Sequence, residues 1–274
     1  MGSQFYLLTT LGLYTVGVLR VLVQALTRRR VLPTWTVGAT LAGFAFHTAA
    51  LSQRWTEAGH FPAVGLHDGA TFLAWAIALV FLMTYLRTRE DALGLAAYPM
   101  AFCLVLIATL TPARESDDPI LKSLFLPIHA LLAAFGYAAL FVAFAMGVLY
   151  LVQEHELKAR SPRTFYYLVP SLERCDSISG RSVTVGFGFL TLAIVTGVLW
   201  SRAARGHYFT GDAKEWSALI AWVLYVVLIF TRFRTGWGGR RAALVGIAGF
   251  AAVVFVFVWM TVLSTAAAAP GALR

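Results

Sequence analysis

Apolar runs of membrane-crossing length follow one another along the whole chain, separated by short polar connections. They fall at 4–25, 33–52, 68–86, 93–111, 123–152, 182–202, 215–232 and 242–264. A helix needs about 20 residues to cross the hydrocarbon core. In lipid the backbone must satisfy its own hydrogen bonds, which for runs of this length leaves the α-helix. The expected fold is therefore all-α, a polytopic membrane bundle of about eight transmembrane helices, forming a single integral membrane domain over 1–274. Charged residues make up only 13% of the chain, against about a quarter in soluble domains. No internal repeat is evident, and the only low-complexity segment is the Ala-rich tail 266–269.

The loops set an orientation. Arg28, Arg29 and Arg30, then Arg87 and Arg89, then Lys158, Arg160 and Arg163, then Arg232, Arg234, Arg240 and Arg241 lie on alternate connections. Positive-inside bias places these in the cytoplasm, with the N- and C-termini outside. The N-terminus has no basic region before its apolar run and reads as a retained first span in place of a cleaved signal. Tyr6 stands where myristoylation wants Ser or Thr. Phe165, Tyr166 and Tyr167 beside Arg160 and Arg163 read as an interfacial segment.

A net charge of +9 invites a nucleic-acid reading, but cations confined to short inner loops are explained by topology, so no nucleic-acid partner is expected. Cys103 and Cys175 form no CxxC pair, which argues against thiol-redox chemistry and a cysteine metal site. Paired acids at catalytic spacing, nucleophile elbows and phosphate loops are absent from the sequence. Independent catalytic activity is not expected.

The same topology gathers His47, His60, His67, His129 and His207 at the outer face and leaves His155 inside. His129 follows Pro127 by one turn or less into its run, with Ala133 and Gly136 below it on the same face. Imidazole above small residues suits an axial ligand of haem iron with a flat ring against the backbone. The residues alone leave a second reading open, a histidine packed between helices. His47, among Phe44, Phe46 and Thr48, reads as a second ligand or a buried polar contact, the latter slightly favoured. His60 and His67 flank Pro62 in a loop expected to be solvated. His207, Tyr208 and Phe209 open the loop before the seventh run, and Asp212 with Glu215 suits the positive N-terminus of that helix. Lys214 and Arg205 can meet acidic groups such as propionates.

Several separated motifs together carry a resemblance. They are Arg54-Trp55, Gly59-His60-Phe61-Pro62, Asp68, Leu73-Ala74-Trp75, Pro127-Ile-His129, Gly136-Tyr137, Gly186-Phe187, Leu190-Thr191, Gly197, Trp200, the Asp212-Ala-Lys-Glu-Trp216…Trp222 run, Tyr225, Arg232, Gly236-Trp237 and Gly249-Phe250. In this order they resemble the cytochrome c assembly proteins of the CcsA/ResC/CcmC type, membrane haem-handling proteins with an external tryptophan-rich loop. The resemblance implies transient binding of haem b at the periplasmic face of the inner membrane, for delivery to apocytochrome c alongside other maturation membrane proteins. It implies His129 as the iron ligand, and the loop 205–216 with His207, Tyr208, Phe209, Asp212 and Trp216 around the cofactor; His47 is a further candidate, as a substitute second ligand.

The chain also departs from the family's pattern. Arg205-Gly-His-Tyr-Phe-Thr-Gly-Asp212 keeps Tyr208 and Asp212 but none of the loop's three tryptophans. Phe230 stands where the family carries an intramembrane histidine, and 259–274 contains no second external histidine. These losses also fit a diverged HemX-like or YpjD-like regulator or scaffold in haem metabolism.

Overall fold

A computed structural model of the chain describes residues 2–27, 34–62, 65–113, 119–159, 168–209, 211, 213–236 and 238–267. Among them the structure is all helical: α1 (Gly2–Thr27), α2 (Thr34–Ala58), α3 (Gly65–Thr88), α4 (Gly94–Leu110), α5 (Phe125–Lys158), α6 (Leu172–Arg205), α7 (Ala213–Thr235) and α8 (Gly239–Ala267), with short 3-10 turns at Asp91–Leu93 and Pro119–Lys122. The runs 4–25, 68–86, 182–202, 215–232 and 242–264 each lie within one of these helices, and 33–52, 93–111 and 123–152 extend past the ends of α2, α4 and α5 by at most two residues. Five segments are long and apolar enough to cross a membrane by length and composition: Gly2–Thr27, Gly65–Thr88, Asp91–Leu110, Phe125–Lys158 and Leu172–Arg205. The interfacial residues Phe165, Tyr166 and Tyr167 lie outside the described residues.

α6 begins ten residues before the expected start of its run because polar partners hold its first turns. Ser171 accepts the Arg174 N–H as N-cap, and the Arg174 side chain donates to Glu90 Oε1 at 2.7 Å and to the Thr88 carbonyl at 2.8 Å. Asp176 takes two Arg232 guanidinium hydrogens at 3.2 and 2.8 Å and the Gly239 N–H at 2.9 Å. One carboxylate thus joins α6, the end of α7 and the start of α8. Charge-assisted bonds of this kind let a helix run on past its apolar stretch.

The helices pack as two rings of four. α1 lies on α2 and α4, and α3 lies on α4; α5 lies on α6 and α8, and α7 lies on α8. In each ring the second and third helices meet most loosely, and α3 against α5 joins the rings. The most extensive helix contact among the described residues is α5 on α6, where Gly136 and Gly186 face one another. A Cβ on Gly136 would come within 3.2 Å of the Leu190 nitrogen, and one on Gly186 within 2.8 Å of the Leu140 side chain. Glycine here is a packing requirement, since small residues let helix backbones approach. The repeated ring arrangement departs from the sequence reading, in which no repeat is evident.

Candidate functional site

A cavity of about 310 Å³ opens at the end of the second ring where α5 begins, α6 ends and α7 begins. α5 contributes His129, Ala133 and Tyr137. α6 contributes Leu190, Ala193, Ile194, Gly197, Val198, Trp200, Ser201, Ala204 and Arg205, and α7 contributes Glu215, Ala218 and Leu219, with Phe209 from the connecting loop. Its volume is at the small end of ligand pockets, roughly 300–1,000 Å³, and its walls are mostly apolar with a few polar groups, as such pockets are.

One turn-repeat of α6 cradles the His129 imidazole. Ala193, Gly197 and Trp200 are spaced i, i+4 and i+7 and so share a helix face. The His129 Nδ1–H donates to the Ala193 carbonyl at 2.8 Å. A Cβ on Gly197 would come within 3.0 Å of the ring's Cε1. The Trp200 ring lies 6.0 Å from the imidazole, tilted by 33°. A carbonyl can only accept, so the proton is on Nδ1 and the lone pair of the neutral ring is on Nε2, the form that ligates metal.

Two polar atoms in the same wall, Trp200 Nε1 and Ser201 Oγ, are buried without a hydrogen-bond partner among the described residues. Buried polar groups normally find a partner in protein, water or ligand. The set of an imidazole, apolar walls, aromatic rings and an arginine at the mouth is chemically suited to one edge of a flat, acidic macrocycle. Among the described residues no cluster of three His, Cys, Asp or Glu could hold a bare metal ion.

The loop over the cavity starts where Gly206, at φ 82°, ends α6 in the left-handed region. Its exposed rings are held from both sides. Arg202 lies over the Tyr208 ring at 5.2 Å, and Phe209 meets Trp216 edge-on at 5.3 Å. Glu215 accepts the Gly211 N–H at 2.9 Å, a capping contact that ties the loop to α7. Tyr208, Phe209 and Trp216 are 59%, 45% and 55% exposed, so they form a surface platform beside the mouth and not a buried wall. His207 is exposed on the same loop. Asp212 lies outside the described residues, as does the side chain of Lys214.

Of the other histidines, His47 takes the buried polar contact slightly favoured by its sequence, whereas His60 and His67 are placed differently from their solvated reading. His47 is fully buried in the first ring and is not part of the cavity. Its Nδ1 faces the Tyr14 hydroxyl at 3.3 Å and its Nε2 the Thr71 carbonyl at 3.0 Å, so both ring nitrogens join α2 to α1 and α3. His60 is buried at 3% exposure, not solvated, with Nδ1 on the Phe61 carbonyl at 3.0 Å. His67 is half-buried and its Nδ1 meets the Ala108 and Thr111 carbonyls at 2.8 and 3.0 Å, where it closes the C-terminal end of α4. The loop reading of these two fails because α2 and α3 fold the connection inward around Phe61, which packs on Trp55 and Phe72.

Sequence reasoning missed the α6 cradle, although the spacing of Ala193, Gly197 and Trp200 carried it. It also missed the pairing of Arg54 with Asp68. Arg54 Nε donates to Asp68 Oδ1 at 3.0 Å, and both side chains are almost wholly buried.

A helical membrane-type bundle with a histidine cavity under an aromatic loop at one end is the class this geometry defines. A profile of the Cytochrome C assembly protein family matches residues 65–266, and the chain belongs to that family. Among its relatives, the cytochrome c biogenesis protein CcsA of Prochlorococcus marinus (strain MIT 9303) is 32% identical over 246 residues, covering 79% of this chain and 77% of that protein. The CcsA of Synechococcus sp. (strain CC9902) is 32% identical over 242 residues, covering 79% and 80%. That of Chlamydomonas reinhardtii is 29% identical over 215 residues, covering 76% and 60%.

Proposed function

We propose that this chain handles haem in c-type cytochrome biogenesis, holding the cofactor at the outer face of the cell's inner membrane for transfer to apocytochrome c. Family membership supports a role in cytochrome c assembly. The observation that carries the haem reading is the seating of His129, whose Nδ1–H is committed to the Ala193 carbonyl beside the cavity. In this reading Nε2 of His129 ligates the iron of haem b. Trp200 and Phe209 contact the ring, and Arg205 meets a propionate. Tyr208, Trp216 and His207 form the exposed rim from which apocytochrome c and other maturation membrane proteins collect the cofactor, with Asp212 assigned to the same rim. Both chain termini lie on the outer, periplasmic side.

One observation favours a second reading. Phe230, where the family carries a histidine, is 60% exposed and points away from the second ring's interior, so no internal ligand replaces it there. This fits a HemX-like or YpjD-like membrane scaffold without stable haem binding. Absorption spectroscopy separates the two. Protein purified in mild detergent from haem-replete cells is expected to show a Soret band that His129→Ala removes. Colourless wild-type protein under those conditions overturns the haem reading in favour of the scaffold.

A further inference from the structure

The two halves of the chain are closed by the same clasp. Trp75 of α3 stacks on Phe44 of α2, with ring centroids 5.6 Å apart and planes 22° apart, and its Nε1–H donates to Thr48 Oγ1 at 2.9 Å. Trp222 of α7 stacks on Phe187 of α6 at 5.7 Å and 29°, and its Nε1–H donates to Thr191 Oγ1 at 2.9 Å. Each threonine hydroxyl donates in turn to its phenylalanine's carbonyl, at 2.8 Å in both.

The clasps sit in matching sequence, Gly43-Phe-Ala-Phe-His-Thr-Ala-Ala50 and Gly186-Phe-Gly-Phe-Leu-Thr-Leu-Ala193. Counted from the tryptophans, α3 and α7 keep the same residues at Ala74, Val80, Thr84, Arg87 and Thr88 and at Ala221, Val227, Thr231, Arg234 and Thr235. α1 and α5 keep the register too. Gly43 lies against Tyr14 as Gly186 lies against Leu140. Ser3 bonds Glu57 as His129 packs on Trp200, with the same spacing along each helix. Contacts that recur in register on three of the four pairs of helices need a common origin more than a common solvent.

We propose that α1–α4 and α5–α8 are tandem copies of one four-helix unit. The cavity at His129 is that unit's pocket, open in the second copy and plugged in the first by Arg54. In the shared register Gly197 stands where Arg54 stands, and Glu215 where Asp68 stands. In the first copy the Arg54 side chain is buried on Asp68 at 3.0 Å. In the second, the absence of a side chain at Gly197 admits the His129 imidazole and the cavity beside it.

The other walls change in the same sense. Ala133 and Leu219 line the cavity where Leu7 and Phe72 are buried in the first copy. Gly197 is therefore the specificity-determining position, the residue that decides whether the unit holds a ligand or a salt bridge. The pocket stands without reference to haem; only the identity of its ligand rests on the proposed function.

The test uses the full-length protein in detergent, with Cys103→Ser to remove the exposed native thiol. Ala133→Cys is the reporter, read by its rate of modification with a methanethiosulfonate reagent. Adding Gly197→Arg is expected to slow modification about tenfold, because thiol reactivity follows exposure. The Soret band is lost with it, while Tm is kept. An unchanged modification rate in a folded Gly197→Arg protein overturns the proposal.

The reciprocal pair guards against a variant that does not fold. Leu7→Cys is expected to be unreactive alone and to react once Arg54→Gly and Asp68→Asn are added; continued protection in that background also overturns it. If Gly197→Arg protects the thiol but neither protein binds haem, the pocket survives and the haem reading fails.

Discussion

The Nδ1–H of His129 donates to the Ala193 carbonyl oxygen at 2.8 Å across the α5–α6 interface, which leaves the ring edge-on to Gly197 and beneath Trp200. The backbone of α6 and a single tryptophan thus define a space of imidazole shape. His129→Ala is expected to empty it without disturbing the helices. Free imidazole at millimolar concentration should then enter, bond to the same carbonyl and restore the Soret band. The measurement is a difference spectrum of the variant with and without imidazole, and no recovery would show that His129 does not act as a ligand through this seat.

Phe209 is the loop ring that reaches the cavity, and Trp216 props it edge-on at 5.3 Å. An aromatic contact of this kind contributes about 0.5–1.5 kcal/mol beyond its buried area. Phe209→Ala should therefore weaken haem retention by roughly two- to tenfold and leave Tm unchanged, because the residue is exposed and supports no core. Transfer of haem to an apo-myoglobin acceptor gives the retention rate. Phe209→Trp, which restores one of the family's lost tryptophans, should slow that transfer.

Arg54 and Asp68 form a buried ion pair between α2 and α3. Removing one partner of such a pair leaves an uncompensated buried charge and typically costs about 3–5 kcal/mol. Arg54→Met should show a loss of this order in denaturant unfolding. Adding Asp68→Asn should recover most of it, because the stranded charge is gone. Equal instability of the single and double variants would mean that the loss comes from Arg54 packing and not from a stranded charge.

The helices were legible because a long apolar run favours a helix, and each run falls in one helix, passing its ends by at most two residues; five of the segments meet the length and apolarity of a membrane span. Their ends were less so: α6 starts at Leu172 because Glu90, Arg232 and Gly239, remote in sequence, supply partners to Arg174 and Asp176 in its first turns. His129 could be singled out from Pro127 and the small residues below it. The sequence slightly favoured a buried contact for His47 but not its partners, since its two bonds go to α1 and α3 and a single sequence does not say which helices are neighbours. The repeat is hidden for a related reason. Leu, Val, Ile, Phe and Ala exchange freely on most lipid-facing and core positions, so the matches that remain, the clasp residues among them, are scattered along the helices and form no continuous stretch.

Glu57 lies beyond the apolar run of α2 and holds the start of α1 through the Ser3 hydroxyl and backbone N–H. The Ser3 hydroxyl bond is the main cause holding this carboxyl below its ordinary range. A carboxyl depressed in the folded state contributes stability above its unfolded pKa and loses it as pH falls through the folded value. Acidification below the usual carboxylate range should therefore release the first turns of α1. Hydrogen exchange at residues 3–7 should rise in that window, and Glu57→Gln should show the faster exchange at neutral pH already.

The two clasps make the tandem-unit proposal measurable as energy. A net hydrogen bond contributes about 1 kcal/mol, and a double-mutant cycle isolates it from the loss of ring area. The cycle Trp222→Phe with Thr191→Val should give a coupling of about 1 kcal/mol between α6 and α7, and the cycle Trp75→Phe with Thr48→Val should give the same value between α2 and α3. These helix pairs are loosely packed, so each clasp is a measurable restraint between its two helices. Opening the second clasp should also loosen α7 beside the cavity and speed haem loss, whereas opening the first should leave haem loss unchanged because Arg54 fills that copy's pocket. Equal effects on haem from both clasps would show that the halves do not act as separate units.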